Sequence, residues 1–219
     1  MIPRNIVIFL LFLNLAPSFG QSIQRCDCPK TIYAGTKADT IFYLSNGKSI
    51  VLCGYKNPES SPTNYSEFVL AVCGVDTIID FWKALLTCEV RVIKDTLLVV
   101  QLENLPLGKN FQYQETPWTF EKIYFYKGNL ERKLSINKKI TIYSQRQIET
   151  VIVDFESQKP EFNDKIMNLA NKLFIASISG DKKARKYFFD FPTKFGPLDG
   201  AYKEEYMYLT RMLQQWDRK

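Results

Sequence analysis

Histidine is missing from all 219 residues, and that single absence removes a large share of enzyme chemistry. Ser-His-Asp and Cys-His nucleophilic catalysis, His-ligated zinc and imidazole proton shuttles are excluded. Other absences narrow the field further. There is no Gly-rich phosphate loop of the G-x-G-x-x-G or G-x-x-x-x-G-K-[ST] type, no G-x-S-x-G nucleophile elbow, no calcium loop and no redox C-x-x-C. Cysteine stops at Cys88. No apolar run reaches the roughly 18 to 20 residues that span a bilayer. None of these patterns implies a cofactor or a metal.

The longest apolar run fits a secretory signal peptide over residues 1–20. Arg4 supplies the positive charge, Ile6 to Leu15 the apolar stretch, and Ser18-Phe19-Gly20 a small-x-small cleavage site, so that the mature chain begins at Gln21. A lipid-anchored reading would make Cys26 the acylated residue, but Ile23, Gln24 and Arg25 before it are not a lipobox. The expectation is a secreted or periplasmic protein with no transmembrane helix after cleavage.

In an oxidising compartment, five clustered cysteines read as a disulfide framework with one thiol left over. The candidates for bridging are Cys28, Cys53, Cys73 and Cys88, in a connectivity the sequence leaves open. Cys26, nearest the mature terminus, is the candidate free thiol. A thiolate metal site built on Cys26-Asp27-Cys28 with Cys53 or Cys73 is the alternative, and it lacks the second closely spaced pair that such sites use.

Hydrophobic patterning divides the chain into a segment 21–30, a β-rich unit at 31–143 and a helical unit at 144–219, with a core that the two units could share. Thr40 to Ser45 and Lys48 to Cys53 flank Asn46-Gly47, the pair favoured in type I′ hairpin turns. Glu89 to Ile93 and Thr96 to Leu102 flank Lys94-Asp95 as a second hairpin. Thr119 to Tyr126 and Leu130 to Leu134, around Gly128-Asn129, form a third. Residues 60–66 read as a loop carrying the sequon Asn64-Tyr65-Ser66. Residues 77–87 fit either strand or helix, because Ile78, Trp82 and Leu85 have helical spacing among β-branched neighbours.

After Tyr143 the apolar period lengthens to 3.6. Ser144 and Gln147 form a capping box ahead of Ile148, Val151, Ile152 and Phe155. Pro160 opens a second helix whose stripe is Phe162, Ile166, Leu169 and Leu173, ending near Ser179-Gly180. Asp181 caps a short basic helix to about Phe189, broken by Pro192. A last helix from about Asp199 to Trp216 turns Tyr202, Tyr206, Leu209, Leu213 and Trp216 to one side. The fold class is α+β: an antiparallel, disulfide-stabilised sheet followed by about four helices.

The net charge of +6 is spread out. Lys182, Lys183, Arg185 and Lys186 form the tightest group, with Arg132-Lys133 and Lys138-Lys139 as smaller ones. Nucleic-acid binding uses a denser basic stripe, so no nucleic-acid partner is expected. These groups read as solvated faces, with contact to an anionic envelope polymer or lipid surface as the alternative. Carboxylate chemistry survives the loss of histidine, and Glu103, Glu115, Glu121, Asp154 and Glu156 are its candidates. Their default reading, with Asp164, Glu204 and Glu205, is also a solvated face.

Aromatic residues, 14% of the chain, gather between Phe111 and Tyr126. On the third hairpin Phe120, Tyr124 and Tyr126 share one face and Ile123 and Phe125 the other. The default is that the helices cover this sheet and both faces are core. The alternative is an aromatic platform for a protein or glycan of the envelope or extracellular space. Its candidate contacts are Trp118, Tyr124, Tyr126 and Tyr208, with Met212 beside Tyr208 off the main stripe of the last helix. The sequence therefore favours an exported, non-enzymatic binding or envelope-assembly protein. A carboxylate-based hydrolase acting on envelope polymer is the second reading.

Overall fold

A computed structural model of the chain describes residues 26–30, 38–56, 64–75, 77–159 and 166–218. The expected signal peptide, Pro160, Phe162 and Asp164 lie outside these residues. The strands are β1 (Thr40–Tyr43), β2 (Ser49–Lys56), β3 (Asn64–Val72), β4 (Thr77–Trp82), β5 (Thr87–Ile93), β6 (Thr96–Leu105), β7 (Gln114–Tyr126) and β8 (Asn129–Ile136). The helices are α1 (Gln145–Ser157), α2 (Ile166–Ile178), α3 (Lys182–Phe195) and α4 (Gly200–Asp217). The chain is thus an α+β protein with an eight-stranded antiparallel sheet followed by four helices among the described residues.

The sheet order is β1-β2-β3-β5-β6-β7-β8, and β4 pairs with β3 alongside β5. Every neighbour is antiparallel. Two contacts show that the sheet rolls on itself. Ser45, in the β1–β2 turn, donates its N–H to Asp95 in the β5–β6 turn at 2.7 Å. Arg132 on β8 donates to the Ile79 carbonyl at 3.0 Å and pairs with Asp80, both on β4. Gly54 serves this curvature: a Cβ there would lie 2.3 Å from that of Phe68, beside the β2–β3 register shift.

Alternation explains the sheet's core. Ile50 and Leu52, Phe68 and Leu70, Leu97 and Val99 each sit two residues apart on one face and are buried with Val90 and Ile123. Residues 77–82 resolve as a strand and 83–86 as a turn. The helical spacing there does not describe a face, since Trp82 stacks on Phe68 at 4.8 Å while Ile78 and Leu85 are exposed. The stretch expected as a loop around Asn64 to Ser66 is the start of β3. Asn64 is only 5% exposed there, which removes it as a glycan acceptor in the folded chain.

Two turns differ from expectation. The first hairpin closes through the three residues Ser45 to Gly47, with Leu44 N–H bonded to the Lys48 carbonyl at 2.9 Å, and of Asn46-Gly47 only Gly47 has positive φ. The type I′ pattern appears instead at Lys127-Gly128, with φ of 49° and 85°, one residue ahead of the Gly128-Asn129 expected. There Tyr126 pairs with Asn129.

In the helical unit α2 is buried almost all round and is the central helix, in contact with α1, α3 and α4. The Ser144–Gln147 capping box and the Asp181 cap are formed. The expected break at Pro192 does not occur, because α3 runs on to Phe195. Proline at 192 cannot donate to the Phe188 carbonyl, and the Tyr206 hydroxyl from α4 donates to it instead, at 2.8 Å. Leu105 and Trp118 from the sheet, with Leu107 from the connection after β6, join this second core, so the helices pack on one end of the β6–β7 ribbon.

Candidate functional site

The cysteines pair as Cys26–Cys73 and Cys28–Cys53, with Cα separations of 4.7 and 5.8 Å. Cys53 and Cys73 point away from the rolled core, on β2 and just beyond β3, and residues 26–28 lie against them with Val51 and Ala71. Of the bridge candidates, Cys28, Cys53 and Cys73 are in disulfides. The assignment of the odd thiol is corrected: Cys26 is bonded, and Cys88 is free and fully buried. The reason is the face of the strand, since Cys88 on β5 points into the core beside Tyr65 while the other four lie outside it. The thiolate metal site is likewise overturned. Among the described residues no group of three or more Cys, Asp or Glu is placed to hold a metal ion.

A belt of polar side chains crosses the inner face of β5 to β8 between the two apolar cores. Along β6, Leu97 and Val99 belong to the sheet core and Leu105 to the helical core, with Gln101 and Glu103 between them. Gln101 donates to Glu103 at 2.6 Å and to the Tyr208 hydroxyl of α4 at 2.8 Å, and Tyr208 donates to Glu103. Along β7, Glu121 and Thr119 occupy the equivalent stretch, and Arg132 donates to Glu121 at 2.6 Å.

Burial holds the Glu103 carboxyl above its ordinary range, against the lowering effect of its Tyr208 and Gln101 hydrogen bonds. The Cys88 thiol is pushed up to about 12, first by burial and then by the charges of Glu103 and Glu121. A thiol in that state is protonated at neutral pH and is no nucleophile. Glu103 and Glu121 are therefore brought to one belt, and the expectation of a solvated face is corrected for both. What brings them inward is the strand period, which puts 97, 99, 101 and 103 on one face regardless of polarity. Their hydrogen bonds tie α4 and β8 to the sheet. Asp154 pairs with Lys172 at 3.6 Å, Glu156 with Lys183 at 2.6 Å, and Glu115, Glu204 and Glu205 are exposed.

The four candidate partner contacts separate into two kinds. Trp118 is fully buried against Phe174 and Trp216, at 5.8 and 5.7 Å, and is corrected from contact to core. Tyr208 is corrected too, since its hydroxyl is engaged by Glu103 and Gln101, and Met212 beside it is buried. Tyr124 and Tyr126 remain on the outer face of β7, half-buried and 58% exposed respectively. The expectation that helices cover both faces of this hairpin is not met, because α1–α4 pack at its other end, around Trp118. The only advance signal of the belt was the polar pair Gln101 and Glu103 interrupting an apolar β6.

The chain matches no protein-family model, no curated protein and no solved structure. No helix of the described residues is long and apolar enough to cross a membrane. The two disulfides fit an oxidising, extracellular-type compartment.

Proposed function

We propose that this is an exported, non-enzymatic binding or envelope-assembly protein that works after removal of a signal peptide at residues 1–20. The observation that carries the reading is the outer face of the β7–β8 hairpin, where Tyr124 and Tyr126 stand beside charged residues while the helices among the described residues pack at the other end, around Trp118. Tyrosine is a favoured contact residue because it offers apolar area with a polar tip. The carboxylates a hydrolase would use are committed to internal partners: Glu103 to Tyr208 and Gln101, Glu121 to Arg132. That arrangement weighs against the hydrolase reading, which needs two carboxyls flanking a sugar bond.

The test is a crosslinked pull-down with the protein from its own envelope and culture-supernatant fractions, read by mass spectrometry and glycan analysis. One enriched polymer or protein that is lost with Tyr124→Ser/Tyr126→Ser is the expected result. No enrichment, together with polymer cleavage that disappears in Glu103→Gln, would replace this reading with the hydrolase.

A further inference from the structure

We infer that the outer face of the β7–β8 hairpin binds an anionic polysaccharide; the inference rests on the binding-protein reading and names its ligand class. Lys122 on β7 lies directly opposite Lys133 on β8, and both are exposed. Like charges facing each other across strands are destabilising. Among the described residues no carboxylate comes within ion-pair distance of either ammonium. The basic cluster of α3 is different, because Lys183 pairs with Glu156 and Arg185 with Asp217. Even in the Arg132-Lys133 pair the two cations part company: Arg132 turns inward to Glu121 and Asp80, and Lys133 stays outside.

Tyr124 and Tyr126 follow Lys122 on the same face, about 7 and about 13 Å along the strand. Lys127, in the turn, places its ammonium 5.3 Å from the centre of the Tyr126 ring. The strip therefore runs cation pair, ring, ring, cation. Among the described residues the carboxylates on this sheet face include Glu131, opposite Tyr124, Glu115, further back along β7, and Glu89 two strands away, which is taken up by Arg91 at 2.8 Å. A sugar polymer with acidic substituents meets these features in turn, laying ring faces on the tyrosines and anions on the lysines. The tyrosine hydroxyls suit a ligand rich in hydroxyl groups. A lipid surface would call for a continuous apolar face, whereas here lysines flank the two tyrosines, Phe120 beyond Lys122 is half-buried and exposed Ile93 lies two strands away.

The purified protein is titrated onto immobilised polygalacturonate, neutral dextran, phosphatidylglycerol vesicles and a single-stranded oligonucleotide, in salt from about 50 to about 200 mM. Binding to polygalacturonate and not to dextran is expected, weakened by salt. Lys122→Ala/Lys133→Ala should lower affinity about tenfold or more while leaving the melting temperature unchanged or raised, since it removes a repulsive pair. Tyr124→Ala/Tyr126→Ala should weaken binding at every salt concentration. Lys182→Ala/Lys186→Ala, an equal change of charge on α3, should alter affinity less than about twofold. Equal losses from both lysine pairs, tighter binding to vesicles or oligonucleotide, or no binding at low salt would each overturn the inference. If the pull-down instead yields a protein or neutral polymer held by Tyr124 and Tyr126, the binding reading stands and the anionic polysaccharide falls.

Discussion

Around β2 and β3 two disulfides clamp an extended segment to the outside of a sheet, whereas α1 to α4 contain no cysteine and are held by aromatic rings. The two methods suit the geometry of each region. Residues 26–30 form no strand or helix and bury few apolar atoms, so covalent closure supplies what packing does not. The helices surround α2, and Phe174, Phe188, Phe191 and Tyr206 contact one another across three elements. The lesson is that one small chain solves the problem of order twice, by cross-link where the core is thin and by ring packing where it is deep.

The largest expected effect is at the residue through which β7 enters the helical core. Trp118→Ala removes a fully buried ring that β7 contributes to the helical core, and should cost about 3–5 kcal/mol by urea denaturation. Trp118→Phe should cost far less, because it keeps a ring and deletes an indole N–H that has no acceptor among the described residues. Next in size is Cys28→Ala/Cys53→Ala, expected to lower stability by about 2–4 kcal/mol. If the cross-link acts locally, thermal melts should show β signal lost ahead of helical signal. Coincident melting would mean that the two regions unfold as one unit.

A smaller effect sharpens the helical side. Tyr206→Phe leaves the Phe188 carbonyl without its donor and should cost about 1–3 kcal/mol. Pro192→Ala in the same background restores a main-chain donor and should recover most of that loss. The smallest effect concerns the belt. Burial raises Glu103 above its ordinary value of 4.5, so folding takes up a proton there. Its stabilising contribution is complete below about pH 4.5 and is lost as pH climbs through the raised folded value. Glu103→Gln keeps an oxygen to accept from Tyr208 and Gln101 and has no charge to gain. Its urea midpoint should therefore improve relative to the parent from about pH 4 to about pH 8. Parallel pH curves would remove Glu103 as the source.

Local patterns carried most of the architecture. The capping box at Ser144, the cap at Asp181 and the period-two runs of β6 and β7 are properties of a few adjacent residues, and each forms as read. The misreadings arose where a distant residue decided the outcome. Pro192 breaks a helix only if nothing else serves the Phe188 carbonyl, and the donor lies on α4. For Trp118 the sequence left an outward contact open beside the default of core, because its burial depends on Phe174 and Trp216, far along the chain. The choice between Cys26 and Cys88 turned on which face of β5 is inside, which needs the sheet pairing. For the candidate site, the alternation of Tyr124 and Tyr126 was legible, while the facing of Lys122 by Lys133 required the hairpin register.

The burial of Cys88 has a consequence for how the chain matures. An unfolded chain with five thiols can close many wrong bridges, and exchange continues for as long as a free thiolate can reach a disulfide. Once β5 has docked between β3 and β6, Cys88 is out of reach and out of its reactive form. Sheet assembly then acts as a chemical lock: early docking of β5 preserves the bridges of Cys26 and Cys28, and late docking leaves them open to reshuffling.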